Sequence, residues 1–285
     1  MKLATYQDGS RDGQLVVVSA DLTQAHHASG IATRMQQVLD DWGFLAPQLQ
    51  DLARTLALGK ARHAFPFEPR MCMAPLPRTY RLVDAQAVVG AQRIGAGLAG
   101  DAMAGAWGAL PDDVPDTEMD FGPRLVVALG DVPRGAAEDQ ARDGVRLLML
   151  ANHWQHWQQG ELLGTSMAWA PVAVTPDALG RTWHRGRLSL TLSTSVDGRA
   201  LSSAEASPAS APEAGVLIAR LARHRAVTAG TLLALPCQQR TALNGAAQVE
   251  IDARDALGQS VFGEISQAHR STDRPIVPCL PRERQ

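Results

Sequence analysis

Short apolar segments, each bounded by turn or loop residues, constrain the fold of this chain more than any other feature. They are five to eight residues long and contain many valines and leucines. Segments of this length between turn residues are typical of buried strands. The segments are LVVVSA (15–20), LVVAL (125–129), VRLLMLAN (145–152), PVAVTP (171–176), GTLLAL (230–235), AQVEIDA (247–253) and SVFGEIS (260–266).

A second pattern predicts a hairpin and a few helices. RLSLTLSTSVDGRAL (187–201) alternates as a strand should, and Asp197-Gly198 is a turn dipeptide. Apolar residues recur at helical spacing from Ile31 to Leu58, where Gly43 interrupts them and Pro47 fits the first turn of a second helix. Further helices are predicted at 134–144 and 211–225. The sequence therefore indicates a strand-rich, mixed α/β protein with few helices.

The proline-rich segment FPFEPRMCMAPLPR (65–78) divides the chain. Its four prolines predict an extended linker. We therefore expect a small N-terminal domain at residues 1–75, built from a strand and a helical hairpin, and a larger domain at residues 76–285.

Composition excludes several function classes. The 27 basic and 29 acidic residues give a net charge of -2, without a basic run, so nucleic-acid binding has little electrostatic basis. No apolar run approaches the roughly 20 residues that cross a bilayer, so we expect no membrane partner. Three cysteines without CxxC spacing, Cys72, Cys237 and Cys279, predict reduced thiols and a cytoplasmic location.

Lysine is nearly absent. Of the 27 basic residues only Lys2 and Lys60 are lysines. Since arginine does not act as a Schiff-base amine or as a base near neutral pH, a lysine-dependent mechanism would have to use one of these two positions.

Several of these segments, in this order, resemble the fumarylacetoacetate hydrolase (FAH) family. They are MKLATYQDGSRDGQLVVVSADL, APLPRTY, DFGPRLVVALGDVP, GVRLLMLAN, PVAVTPDALG and VEIDARDALGQSVFGEI. The resemblance runs over nearly the whole chain. It implies a small α+β N-terminal domain on an FAH-like mixed β-roll C-terminal domain, usually in a dimer.

The same resemblance implies an altered metal site. Family enzymes act on acylpyruvate-like acids with Mg²⁺, Mn²⁺ or Ca²⁺, held by a Glu-x-Glu on one strand and an Asp on the next. Hard divalent cations prefer such oxygen ligands. The matching positions here are Gly122, Arg124 and His153. Because a guanidinium repels a divalent cation, we expect that the family's metal site is lost and that no cofactor is bound.

Other family positions also differ. The family's upstream His and Glu fall on Ala91 and Arg93, and its lysine falls near Gly164. Its glycine-rich substrate turn matches ALPC (234–237).

The segment HWQHW (153–157) has two interpretations. On a helix, His153 and His156 would share a face and, with Glu161, could hold Zn²⁺; on a strand they would point to opposite faces. Alternatively, Trp154 and Trp157 fill the volume of the lost metal site, where they could also contact a ligand. We favour this second interpretation.

Three further candidates remain. A register slip could place Glu118 and Asp120, in a loop before the strand, as replacement metal ligands. Cys237 could form a Cys–His pair with His153 or His156, although a buried, inert thiol is the commoner case. Arg124 needs an anion, which could be a small carboxylate ligand or a structural acid such as Asp120.

The leading functional hypothesis is therefore a non-catalytic paralogue. It would be a homodimer, a heteromer with an intact FAH-family relative, or a small-acid binder. The alternative is a metal-independent C–C hydrolase, lyase or isomerase of an oxo or enol acid, with His153, His156 or Cys237 as catalytic groups and a histidine pKa near neutral. A conventional metal-dependent hydrolase is third.

Overall fold

The computed structural model describes residues 1–85, 100–101, 103–109, 118–236, 240–243 and 248–268. Within these ranges the chain is a strand-rich α/β protein, as the sequence predicts. Its strands are β1 (Lys2–Tyr6), β2 (Gln14–Val18), β3 (Gln24–His27), β4 (Phe65–Pro66), β5 (Leu82–Asp84), β6 (Glu118–Leu129), β7 (Val145–Gln158), β8 (Glu161–Trp169), β9 (Val172–Val174), β10 (Trp183–His184), β11 (Arg187–Leu188), β12 (Thr191–Val196), β13 (Arg199–Glu205), β14 (Leu232–Ala234), β15 (Thr241–Leu243), β16 (Gln248–Arg254) and β17 (Ile265–Ala268).

The helices are short, apart from one in the N-terminal region. They are α1 (Met35–Asp40), α2 (Trp42–Ala57), α3 (Glu138–Arg142), α4 (Pro176–Leu179) and α5 (Ala214–Leu221), with 3-10 turns at Pro69–Met71 and Gly180–Thr182. The expected helical pair is present, but α2 starts at Trp42 and encloses Pro47 instead of beginning at it. None of the helices in the described ranges is long and apolar enough to cross a membrane.

Two sheets organise the described residues. The larger has the strand order β4-β3-β2-β1-β9-β7-β6-β14-β5, with β15 also on β6 and β8 also on β7. The smaller has the order β13-β12-β16-β17, and β10 pairs with β11. Since β1 pairs antiparallel with β9, the N-terminal strands continue the same sheet as the rest of the chain. The domain boundary at residue 75 stays a prediction.

Alternate residues of the central strands pack on opposite faces of the large sheet, as strand geometry requires. Val126 and Ala128 belong to one apolar cluster with α1 and α2. Leu125 and Val127 belong to a second cluster with α5 and the smaller sheet. This alternation decides on which face each candidate residue of β6 and β7 lies.

The predicted linker at 65–78 is instead packed structure. Phe65–Pro66 pairs with β3, and the backbone of Cys72 forms an isolated β-bridge with that of Tyr6. The side chain of Phe67 is buried. The prolines limit ladder hydrogen bonding but leave the side chains free to fill the N-terminal core.

Candidate functional site

Strands β6 and β7 bring together the three positions that the resemblance assigns to the metal. They pair antiparallel, with Gly122 opposite His153 and Arg124 opposite Ala151. Because side chains two residues apart share a face, Arg124 and His153 lie on the face that packs toward α1 and α2. The strand begins at Glu118, so the expectation that Glu118 and Asp120 lie in a loop is wrong.

The Gly122-Pro123 pair is accommodated because pairing changes on one side of β6 at this point. β15 pairs with Met119–Phe121, and β14 pairs with Val126–Ala128. Pro123 lies between these two segments, at a point where neither of these described strands pairs with β6, so its missing N–H is tolerated there.

Arg124 is fully buried and is surrounded by acceptors. Its side chain extends from β6 past the end of β14 to β5, where Nη1 and Nη2 donate to the two carboxylate oxygens of Asp84 at 2.8 and 2.7 Å. Nε and Nη2 also donate to the carbonyl of Leu235 at 3.0 and 2.9 Å. A contact of 3.0 Å joins Nη1 to Nδ1 of His153. All five guanidinium N–H groups therefore have protein acceptors.

His153 is held as a neutral imidazole. Its Nδ1 accepts from Arg124, which places the ring proton on Nε2. Burial, followed by the charges of Arg124 and Arg240, lowers the pKa of His153 to about 3. Nε2 is buried and has no hydrogen-bond partner in the described part of the chain. The near-neutral pKa expected for a general acid or base is therefore wrong for His153.

Asp120 belongs to a neighbouring polar group, separate from Arg124. It forms an ion pair with Arg240 and accepts a hydrogen bond from Nε1 of Trp157 at 3.1 Å. Glu118 is exposed. The anion partner of Arg124 is thus Asp84 and not Asp120.

The segment HWQHW is a strand, since β7 continues to Gln158. His153 and His156 therefore point to opposite faces of the sheet and cannot share a metal ion. Trp154 points away from Arg124 and donates from Nε1 to Oε1 of Gln267 at 2.9 Å. Asn152 donates to the same oxygen at 3.1 Å.

The described residues do not fit the family's metal. They contain no cluster of three or more His, Cys, Asp or Glu side chains that could hold a metal ion. At the matching positions, Gly122 offers no side chain and Arg124 offers only donors. A divalent cation would face a buried guanidinium whose charge is already balanced by Asp84.

Some candidate positions lie outside the described residues, namely Cys237, Ala91 and Arg93. The residue that sequence reasoning missed is Asp84. Its signal was an acid that directly follows the apolar pair Leu82-Val83, since a partly buried carboxylate favours a nearby cation just as Arg124 requires an anion.

Four cavities lined by described residues lie away from Arg124 and His153, with volumes of about 500, 430, 540 and 250 Å³. The cavity of about 500 Å³ lies beside α1, and Met35, Leu76 and Tyr80 contribute to its mainly apolar lining. The cavity of about 430 Å³ is lined in part by the side chains of Arg70 and Trp107.

Comparison with known proteins shows what this architecture resembles. Residues 1–78 match the family model described as "Fumarylacetoacetase N-terminal domain 2". No curated protein sequence matches the chain.

Similar solved structures cover almost the whole chain. One is maleylpyruvate hydrolase from Sphingobium sp. SYK-6 in complex with manganese (II) ion and pyruvate, with a TM-score of 0.69, 16% identity, and coverage of 94% of this chain and 98% of that one. Another is fumarylacetoacetate hydrolase from Exiguobacterium antarcticum, with a TM-score of 0.66, 14% identity, and coverage of 95% and 99%. A third is a probable 2-hydroxyhepta-2,4-diene-1,7-dioate isomerase from Mycobacterium abscessus, with a TM-score of 0.68, 13% identity, and coverage of 95% and 98%.

These likenesses confirm the fold and the resemblance read from the sequence. Residues 1–78 match the fumarylacetoacetase N-terminal domain model, and the chain as a whole has the fold of fumarylacetoacetate hydrolase family proteins.

Proposed function

We propose that this chain is a non-catalytic FAH-fold protein in which a buried ion pair occupies the place of the family's divalent metal. The observation that carries the proposal is the complete use of the Arg124 guanidinium by Asp84, His153 and the Leu235 carbonyl. A cation site and a saturated, buried guanidinium cannot share one position, because both the charge and the volume conflict.

The saturation of Arg124 also bears on ligand binding. A guanidinium with free donors would anchor a carboxylate, but each N–H of Arg124 already has an acceptor. A small acid would have to displace Asp84 or the Leu235 carbonyl. We therefore assign Arg124 a structural role and retain assembly as the function of the fold.

Assembly would take one of two forms, a homodimer or a heteromer with an intact FAH-family relative. Sedimentation velocity of the purified chain, alone and mixed with an intact family member, distinguishes the two. We expect either a homodimer of this chain alone or a heteromer that contains this chain in the mixture. A monomer in both would contradict the assembly role. The cytoplasm stays the predicted location.

The metal-independent enzyme is the less well supported alternative. Its general acid or base would be His153 or His156, but burial and Arg124 lower the pKa of His153 to about 3. A group with that pKa is a weak base, and its acidic imidazolium form is not populated near neutral pH. His156 lies on the other face of β7.

Thermal unfolding with Mn²⁺ and with Mg²⁺ tests the proposal. A metal at 100 times its dissociation constant would stabilise the protein by about 2.7 kcal/mol, which shifts the unfolding temperature measurably. We expect no shift for this chain, and a clear shift for a metal-dependent family member in the same buffer.

An activity assay completes the test. Acylpyruvate substrates should show no metal-dependent hydrolysis above the rate without protein. Hydrolysis that requires Mn²⁺ or Mg²⁺ would overturn the proposal, and it would direct attention to Glu118 and Asp120 as ligands.

A further inference from the structure

A cavity of about 430 Å³ lies at the N-terminal end of the chain, away from the Arg124 ion pair. It opens between the β1–β2 loop, the 3-10 turn at Pro69–Met71 and the segment 103–108. Its volume falls in the range of small-molecule sites. The side chains that matter for its chemistry are those of Gln7, Arg70, Cys72, Met73, Met103 and Trp107.

Among the described residues of the lining, a single side chain carries a full charge, which is positive. Arg70 is the charged residue among the lining residues, and no aspartate or glutamate is among them. Its guanidinium lies 4.4 Å from the ring centroid of Trp107, in a cation–π contact that holds it over the indole. Arg70 forms no ion pair with any described residue. The nearby Glu68 accepts from the backbone N–H of Arg70 and does not line the cavity.

The indole of Trp107 provides a second donor. Its Nε1 is buried and has no hydrogen-bond partner in the described ranges. A buried N–H without an acceptor costs free energy, and a ligand oxygen would satisfy it. The side-chain amide of Gln7 adds further polar atoms at the rim.

The remaining surface is soft and apolar. Met73 and Met103 contribute thioethers to the lining. Cys72 is buried, and burial raises the pKa of its thiol, so it lines the cavity as a neutral, unreactive group. Thioether side chains adapt to apolar groups of varied shape.

We propose that this cavity binds a small organic monocarboxylate. Its carboxylate would lie between the guanidinium of Arg70 and Nε1–H of Trp107, and its apolar body would pack on Met73 and Met103. The inference goes beyond the proposed function, since it uses none of the residues around Arg124. It would give a non-catalytic FAH-fold protein a ligand site outside the family's metal position.

Isothermal titration calorimetry tests the proposal in a buffer with EDTA, so that metal chemistry plays no part. The probes are sodium benzoate and sodium butanoate, with benzamide as the neutral counterpart and sodium sulfate as the inorganic anion. Benzoate or butanoate should bind, and benzamide and sulfate should bind more weakly by about tenfold or more, since charge-assisted and apolar contacts act together only for the carboxylate.

Two variants locate the site. Arg70→Gln should weaken binding about tenfold or more, because it removes the cation that the described lining residues supply. Trp107→Phe should weaken binding several-fold and should abolish the indole N–H resonance that shifts when the probe binds in nitrogen–proton NMR spectra. Arg62→Gln, which changes an exposed arginine outside the cavity, is the matched control and should bind as the wild type does.

Three outcomes would overturn the proposal. They are wild-type affinity in Arg70→Gln, sulfate binding as tight as that of the carboxylates, and absence of binding at about 10 mM probe, where a ligand of millimolar affinity would occupy most of the sites. None of these results depends on whether the chain hydrolyses acylpyruvates, so each proposal fails or stands separately.

Discussion

A buried guanidinium is stable only beside an anion and with its N–H groups paired, and Arg124 obtains both from the sheet around it. Asp84 supplies the charge from β5, and the Leu235 carbonyl supplies a neutral acceptor at the end of β14. The sequence predicted the need for an anion but not its identity, because a burial requirement says nothing about which distant acid meets it.

Breaking this pair should be strongly destabilising. Asp84→Asn leaves the guanidinium buried without a balancing charge, and we expect a loss of about 3–5 kcal/mol in the free energy of unfolding. Urea unfolding measures it. The control is Arg54→Gln, which breaks an exposed pair with Asp51 on α2 and should cost less than about 1 kcal/mol.

A double variant tests whether the charge pair itself is responsible. Arg124→Met with Asp84→Leu removes both charges and should recover much of the stability lost by Asp84→Asn, because well-packed apolar residues often replace a buried pair at little cost. If Asp84→Asn alone has the stability of the wild type, the ion pair is not the structural centre that we describe.

The imidazole of His153 predicts a pH dependence. Its pKa is 6.5 when exposed and is lowered to about 3 in the folded chain, first by burial and then by Arg124. Below pH 6.5 the unfolded chain takes up a proton that the folded chain does not bind. The contribution of this group to stability therefore falls as pH decreases from about 6.5 to 3, by up to about 1.4 kcal/mol per unit.

His153→Gln should reduce this slope, since glutamine keeps an acceptor for Arg124 and does not titrate. Urea unfolding between pH 4.5 and 6.5 gives the comparison. His224→Gln changes an exposed histidine and should retain the wild-type slope. An identical slope in wild type and His153→Gln would show that His153 is not buried as a neutral ring.

At the scale of the element, strands that carry their own turn signals were predictable. The β12–β13 hairpin follows from the alternation of apolar and polar residues and from the turn dipeptide Asp197-Gly198. Asp197 and Gly198 have left-handed φ values of 50° and 74°. The length of β7 was not predictable, because HWQHW fits a helix and a strand equally well at this length. Pairing with β6 and β8 on its two sides decides that it is a strand.

The turn glycine gives a prediction at this scale. Gly198→Ala should destabilise the protein by about 1–2 kcal/mol, because a Cβ disfavours the left-handed backbone even though nothing lies near it. Thermal unfolding measures the loss. Gly164→Ala on β8 is the control: its Cβ also meets nothing within 4 Å, and its φ is not left-handed, so little change is expected. Equal losses in both variants would contradict the role of the turn conformation.

At the scale of the whole molecule, a buried amide links the two sheets in addition to their apolar packing. Gln267 on β17 of the smaller sheet is 1% exposed and accepts from Asn152 and Trp154 on β7 of the larger. Its Nε2 also donates to the Ala109 carbonyl at 3.3 Å. This residue therefore links the two sheets and a third segment through one amide.

Gln267→Leu should test that link. It leaves the Asn152 amide and the Trp154 indole N–H buried without their acceptor, at about 1–3 kcal/mol for each. We expect a total loss of about 2–6 kcal/mol in urea unfolding. Gln24→Leu, at an exposed position of β3, should change stability little. A small loss in Gln267→Leu, similar to that of Gln24→Leu, would mean that packing alone joins the sheets.

The sequence by itself determined the class of the fold, most of the strands, the helical pair and the identity of the three residues at the family's metal positions. These depend on local pattern: apolar length, turn dipeptides and the residue types at Gly122, Arg124 and His153. It also predicted a charge problem at Arg124 without solving it.

Only the tertiary structure decided which partners meet. Arg124 pairs with Asp84, forty residues away, because β14 lies between β6 and β5. The two histidines separate because the sheet extends β7, and Arg70 reaches Trp107 because separate segments fold onto one cavity. Such contacts depend on strand order, and strand order is a property of the whole sheet that no local window of sequence contains.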